Sequence, residues 1–88
     1  MGEGLKRAVA ASTATRLDDV DRLVLRRTPP DEAFWTSDVA HDCRLETGLV
    51  RRRLDRLAKA HLVERVVVGN PTIWRRTNAG TEALTAES

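Results

Sequence analysis

The apolar residues between positions 39 and 58 keep a helical spacing, break it, and take it up again. Val39, Ala40 and Cys43 lie on one face of a short helix, Arg44 to Thr47 interrupt the pattern, and Val50, Leu54, Leu57 and Ala58 resume it. Such a break predicts two helices crossing over a tight turn, their apolar side chains directed into a shared interface. The period then changes. Leu62 to Val68 and Thr72 to Thr77 are rich in β-branched residues, and the turn cluster Gly69-Asn70-Pro71 lies between them, which predicts a β-hairpin. These two switches exclude a single long helix or coiled coil and confine the chain to a mixed, mostly helical fold.

The flanks complete the pattern. Thr15-Arg16-Leu17-Asp18 has the form of a capping box. It opens a helix with Leu17, Val20, Leu23 and Val24 on one face, which Thr28-Pro29-Pro30 ends because proline restricts the residue before it. Ala33-Phe34-Trp35 reads as a short extended segment, after which Thr36 or Ser37 caps the brief second helix. The third helix runs from about Thr47 to His61, and Thr77 caps a last one over Asn78 to Ala86. The expected class is α+β, mostly α: a three-helix core, a short strand plus a hairpin, and a short C-terminal helix. Residues 16–86 form one domain, and 1–15, small and polar with Leu5 and Val9 as a weak helical pair, form a flexible or dimerising arm.

At 88 residues, 41% of them apolar, the chain can build one core, but a domain this small buries a limited share of its surface. Stability should therefore be modest or shared with a partner subunit: either the arm and first helix form a homodimer contact, or the protein acts as a monomer. No apolar run approaches the roughly 20 residues that span a bilayer, and the N-terminus has no secretory h-region. One cysteine forms no internal disulfide. The expectation is a cytoplasmic protein without membrane contact.

The net charge of +2 conceals a segregation. Residues 1–43 carry six bases and eight acids; residues 44–76 carry eight arginines and Lys59 against Glu46, Asp55 and Glu64; residues 77–88 carry two acids. Arginine supplies 13 of the 15 bases, and its planar fork matches phosphates and guanine edges bidentately.

Taken together, Val39-Ala40-x-x-Cys43-Arg44-Leu45-Glu46-x-x-Leu49-Val50-x-x-x-Leu54-x-x-Leu57, the stretch from His61 to Arg65, and Trp74-Arg75-Arg76-Thr77-Asn78-Ala79-Gly80 resemble the winged helix-turn-helix transcriptional regulators of the MarR and PadR type. The resemblance covers about residues 17–84. It implies a third helix lying in the DNA major groove and a hairpin wing on the flanking minor groove or backbone. It also marks departures: Arg44 stands at the usual glycine of the turn, Glu46 at the usual small cap, and His61 where a glycine commonly ends the third helix.

Helix geometry gives an independent reading. At ~100° per residue from Val50, Leu54 and Leu57 fall within about 40° of it, while Gly48, Arg52, Asp55 and Lys59 fall near the opposite pole, flanked by Arg51 and Arg56. Because N-terminal residues of a recognition helix point into the groove, Thr47, Gly48, Arg51 and Arg52 are expected at base edges, Gly48 by allowing close approach. Arg56 and Lys59 should sit further back on phosphates, joined by Arg65, Arg75 and Arg76 from the wing strands. Gly69 and Asn70 form the wing tip, where Asn70 either enters a minor groove or simply tolerates positive φ. Arg53, beside the core edge, should brace the fold through a carboxylate such as Asp19 or Asp21.

Other chemistry finds little footing. His41 and Cys43 point to different sides of a helix and nothing completes a tetrahedral set, so no metal or other cofactor is expected. Cys43 fits a small core position, and His61 a partner for the helix dipole. Asp18, Asp19 and Asp21 read as acids favoured at a helix start, with no phosphate-cradling loop or nucleophile elbow to suggest an enzyme. Trp35 and Trp74 are expected in the core. The sequence thus favours a double-stranded DNA-binding transcriptional regulator, more simply a repressor, since occluding a promoter requires only binding. The alternative is a winged-helix module that meets an acidic protein partner.

Overall fold

The computed structural model describes residues 16–67 and 72–86. The arm 1–15 and the tip residues Gly69 and Asn70 lie outside the described residues. Along the chain run α1 (Asp19–Arg27), β1 (Phe34–Trp35), α2 (Thr36–Cys43), α3 (Thr47–Lys59), β2 (Val63–Val67), β3 (Thr72–Arg76) and α4 (Asn78–Ala86). The expected α+β class and element order are those observed: a three-helix core, a short strand joined to a hairpin, and a closing helix.

The three strands form one antiparallel sheet in the order β1-β3-β2, with Trp74 opposite Phe34 on one side and Arg65 on the other. Trp74 is fully buried and its indole N–H donates to the Thr36 hydroxyl at 2.7 Å, tying the sheet to α2. That bond occupies the hydroxyl expected to cap α2, which begins after Trp35 without a side-chain cap. Trp35 is not a core residue; it is 54% exposed. Successive strand residues point to opposite faces, so placing Phe34 beside Trp74 turns Trp35 onto the other face of the sheet.

Val24, Leu25, Val39, Val50, Leu54 and Leu57 are buried between the three helices, with Leu17 and Cys43 at the margins. The cap of α1 lies three residues beyond the expected one. Asp18 accepts from the Asp21 backbone N–H at 2.7 Å while the Asp21 carboxylate accepts from the Asp18 N–H at 3.3 Å, a complete capping box. A charged acceptor at a helix N-terminus gains from the dipole, and starting there places Leu17 in the core. Asp21 is fully buried.

Two helices end on the same backbone device. At the end of α2 the Leu45 N–H donates to the Ala40 carbonyl at 3.0 Å and the Arg44 N–H to that of His41 at 3.1 Å. At the end of α3, Leu62 donates to Leu57 and His61 to Ala58, both at 2.9 Å. These are Schellman motifs, which place one residue in the left-handed region. Arg44 (φ 59°) and His61 (φ 64°) fill those positions, where glycine is the usual choice. Helix α3 therefore stops two residues short of the expected His61, whose role is conformational.

The last helix is seated through Thr77. Its hydroxyl accepts from the Gly80 N–H at 3.1 Å, as a cap, and donates to the His61 carbonyl at 2.7 Å. A Cβ on Gly80 would lie 2.1 Å from the Leu62 carbonyl oxygen, so only glycine lets α4 approach this closely.

Candidate nucleic-acid interface

Helix α3 carries the basic face, and its own burial aims it. Val50, Leu54 and Leu57 are driven into the core, so residues half a turn away must face solvent. Thr47, Gly48, Arg51, Arg52, Arg56 and Lys59 are all exposed. No acid sits in the first turn of α3, and Glu46 precedes it without a side-chain capping bond. The amides at this end thus present positive partial charge outward.

The guanidiniums on this helix fall into two groups. On the flank facing α1, Arg53 donates to both Asp18 oxygens at 2.8 and 2.6 Å and to Asp21 at 3.0 Å. Arg56 reaches Asp21 at 3.5 Å and the Arg16 carbonyl at 3.0 Å. Asp21 is thus a buried carboxylate held between two arginines of α3. The Asp21 amide first, then the Arg53 guanidinium, hold the Asp18 carboxyl below the usual aspartate range. The bracing role expected of Arg53 is present, with Asp18 and Asp21 as its partners; Asp19 pairs instead with Arg22.

On the opposite flank the side chains of Arg51, Arg52 and Lys59 have no hydrogen bond or ion pair among the described residues, and neither has that of Arg44 in the turn before α3. An ideal Cβ on Gly48 would meet one Arg52 terminal nitrogen at 3.8 Å, so this guanidinium lies back along the N-terminal turn. Nothing else among the described residues crowds that position or demands a glycine there.

The wing arginines are more committed than the sequence suggested. Arg75 donates to Glu64 across the hairpin, its Nε at 2.6 Å. Arg65 approaches Asp55 of α3 at 3.6 Å and stacks 5.5 Å above the Trp74 ring. Arg76 turns inward: its Nε donates to Thr81 at 3.0 Å, and one terminal nitrogen donates to the carbonyls of Leu25 and Arg26 at 3.3 and 3.4 Å. Of the five side chains expected on phosphates, Lys59 alone has no internal partner among the described residues. The basic segment and the bracing role of Arg53 were legible from the sequence; the pairing of Arg56, Arg65 and Arg75 with Asp21, Asp55 and Glu64 was not. Arg44 was not among the expected contacts, because its place in the turn marked it as a departure from pattern.

Among the described residues no cluster of His, Cys, Asp and Glu could hold a metal ion, and no helix is long and apolar enough to cross a membrane. Burial pushes the Cys43 thiol up, which keeps it protonated and unreactive.

No family model matches the chain, and no curated protein matches it. Solved structures do. A possible transcriptional regulator from Methanosarcina mazei Go1 superposes with a TM-score of 0.69 at 16% identity, over 85% of this chain and 69% of that one. An ArsR-like transcriptional regulator from Rhodococcus sp. RHA1 gives 0.70 at 20% identity, over 96% and 78%. Fragment 1–100 of a possible transcriptional regulatory protein from Mycobacterium bovis gives 0.67 at 18% identity, over 99% and 92%. The likeness establishes the winged-helix fold, and none of the three singles out the MarR or PadR type.

Proposed function

We propose that the chain binds double-stranded DNA as a transcriptional regulator, with α3 in the major groove and the hairpin on flanking DNA. The observation that carries this reading is the unpaired set Arg51, Arg52 and Lys59, exposed on α3 while the arginines beside them are neutralised by carboxylates. A fold that needed these charges only for packing would pair them, and a duplex supplies the missing anions. Its likeness to three regulators points the same way.

Thr47, Gly48, Arg51 and Arg52 face base edges from the N-terminal half of α3, and Lys59 rests on a phosphate. Arg56, Arg65 and Arg75 still have donors to offer, since a guanidinium carries five N–H groups and their internal contacts use only some. They act as flanking phosphate contacts already oriented by Asp21, Asp55 and Glu64. Binding alone occludes a promoter, so the regulator is a repressor, and a homodimer reading two half-sites in the cytoplasm completes the proposal.

Selection of bound duplexes from a random pool, followed by titration of the selected duplex, tests the reading. Arg52→Ala should weaken the selected duplex by about 1–3 kcal/mol and relax the preference at one position, with little change in melting temperature. Absence of duplex binding even at low salt refutes DNA binding and leaves an acidic protein as the partner of this face.

A further inference from the structure

Arg44 occupies a backbone position that costs the fold something, and its side chain returns no hydrogen bond or ion pair among the described residues. Its φ of 59° and ψ of 43° are left-handed, where a side chain crowds the backbone and glycine is free of that crowding. The bonds that close the motif, Leu45 to Ala40 and Arg44 to His41, are backbone bonds that glycine would make equally well. The side chain is exposed and has no hydrogen bond or ion pair among the described residues. Nothing among the described residues therefore explains an arginine here. It stands three residues before Thr47, at the end of α3 where Gly48 and the Arg52 guanidinium lie.

Resting on the DNA-binding reading above, we infer that Arg44 is a phosphate contact: it clamps the duplex backbone beside the N-terminus of α3, and the left-handed cap of α2 presents it. The turn holds the Cα rigidly between two packed helices. A long side chain leaving that point reaches a phosphate at the edge of the groove that α3 enters, extending the free cationic set of Arg51, Arg52 and Lys59 past the helix end. His61 is the internal control. It holds the same conformation in the same motif at the other end of α3, and is likewise exposed.

Arg44→Gly, Arg44→Lys and His61→Gly are compared with the parent chain by thermal melting and by titration of a fluorescent 25-base-pair mixed-sequence duplex over a salt series. Both glycine variants should melt a few degrees higher, because each relieves a left-handed side chain. Only Arg44→Gly should bind more weakly. The slope of log affinity against log salt should fall by about 0.9, the loss of one phosphate contact, which is about eightfold in affinity at 0.1 M relative to 1 M salt. Arg44→Lys keeps the charge and should keep the slope. Parental affinity and slope in Arg44→Gly would overturn the inference alone, as would an equal loss in His61→Gly. A parent chain that does not bind the duplex at low salt would instead overturn the DNA-binding reading on which it rests.

Discussion

Arg52 and Arg53 are adjacent, chemically identical, and on the same helix, yet they face different worlds. Arg53 reaches across to α1 and lies between Asp18 and the buried Asp21, whereas Arg52 lies over Gly48 with no partner among the described residues. The difference is a rotation of ~100° about the axis of α3. On the α1 flank arginine belongs to the structure, and on the outer flank it is available to a ligand. A count of positive charge along the helix merges the two.

The comparison is broken most forcefully at Arg53. Arg53→Ala removes the nearer cationic partner of a fully buried carboxylate, leaving Asp21 with Arg56 at 3.5 Å. Taking one partner from a buried ion pair costs far more than an exposed pair is worth, because the remaining charge stays desolvated. Urea denaturation should show a loss of about 2–3 kcal/mol, discounted from the full penalty for the arginine that stays. In the folded fraction the salt dependence of duplex binding should be that of the parent. A variant that kept its stability and lost salt slope would move Arg53 to the ligand side.

The sequence reveals α3 and its two-sidedness because a 3.6-residue period survives in single residues, and it reveals the hairpin because Gly69-Asn70-Pro71 separates two β-branched runs. It conceals what depends on contacts between distant segments. Asp18 reads as an ordinary first-turn acid until α3 is folded against it, and Asp21 as one of two candidate partners for Arg53. Trp35 was expected inside with Trp74, but whether an aromatic residue is buried in a two-residue strand depends on its register with β3. Arg44 and His61 hide their left-handed backbones because the glycine that normally signals one is missing. The charged face of the candidate site was legible, and beyond Arg53 its division into paired and unpaired cations was not.

Arg76 extends the comparison to the wing and should give an intermediate effect. Its guanidinium spends its visible contacts on Thr81 and on carbonyls at the end of α1, so it fastens β3 to α1 and α4. A phosphate contact, the role the sequence suggests for Arg76, implies a uniform loss of duplex affinity on Arg76→Ala. The contacts now place most of the effect in stability: about 1 kcal/mol, given partial exposure and the longer donor distances, or roughly 4–8 °C in melting temperature. Circular dichroism melting against duplex titration separates the two. A full loss of one phosphate from the salt slope with an unchanged melt would return Arg76 to the outer set.

Gly48 gives the smallest effect on the fold and the sharpest contrast in sign. An exposed glycine inside a helix is about 0.8–1 kcal/mol less favourable than alanine, a cost tertiary packing often justifies. Packing justifies Gly80, where an added Cβ would meet the Leu62 carbonyl oxygen at 2.1 Å, but at Gly48 the same atom meets only the tip of Arg52 at an ordinary 3.8 Å. The fold therefore accepts Gly48→Ala, and a modest gain of about 0.5 kcal/mol is expected in urea denaturation, less than the full interior value because the site lies in the first turn. The added methyl group projects from the surface proposed to meet the bases, so duplex affinity should fall as stability rises. A stability gain with unchanged affinity would mean that no backbone approaches this turn, and the outer flank of α3 would have to meet DNA through its long side chains alone.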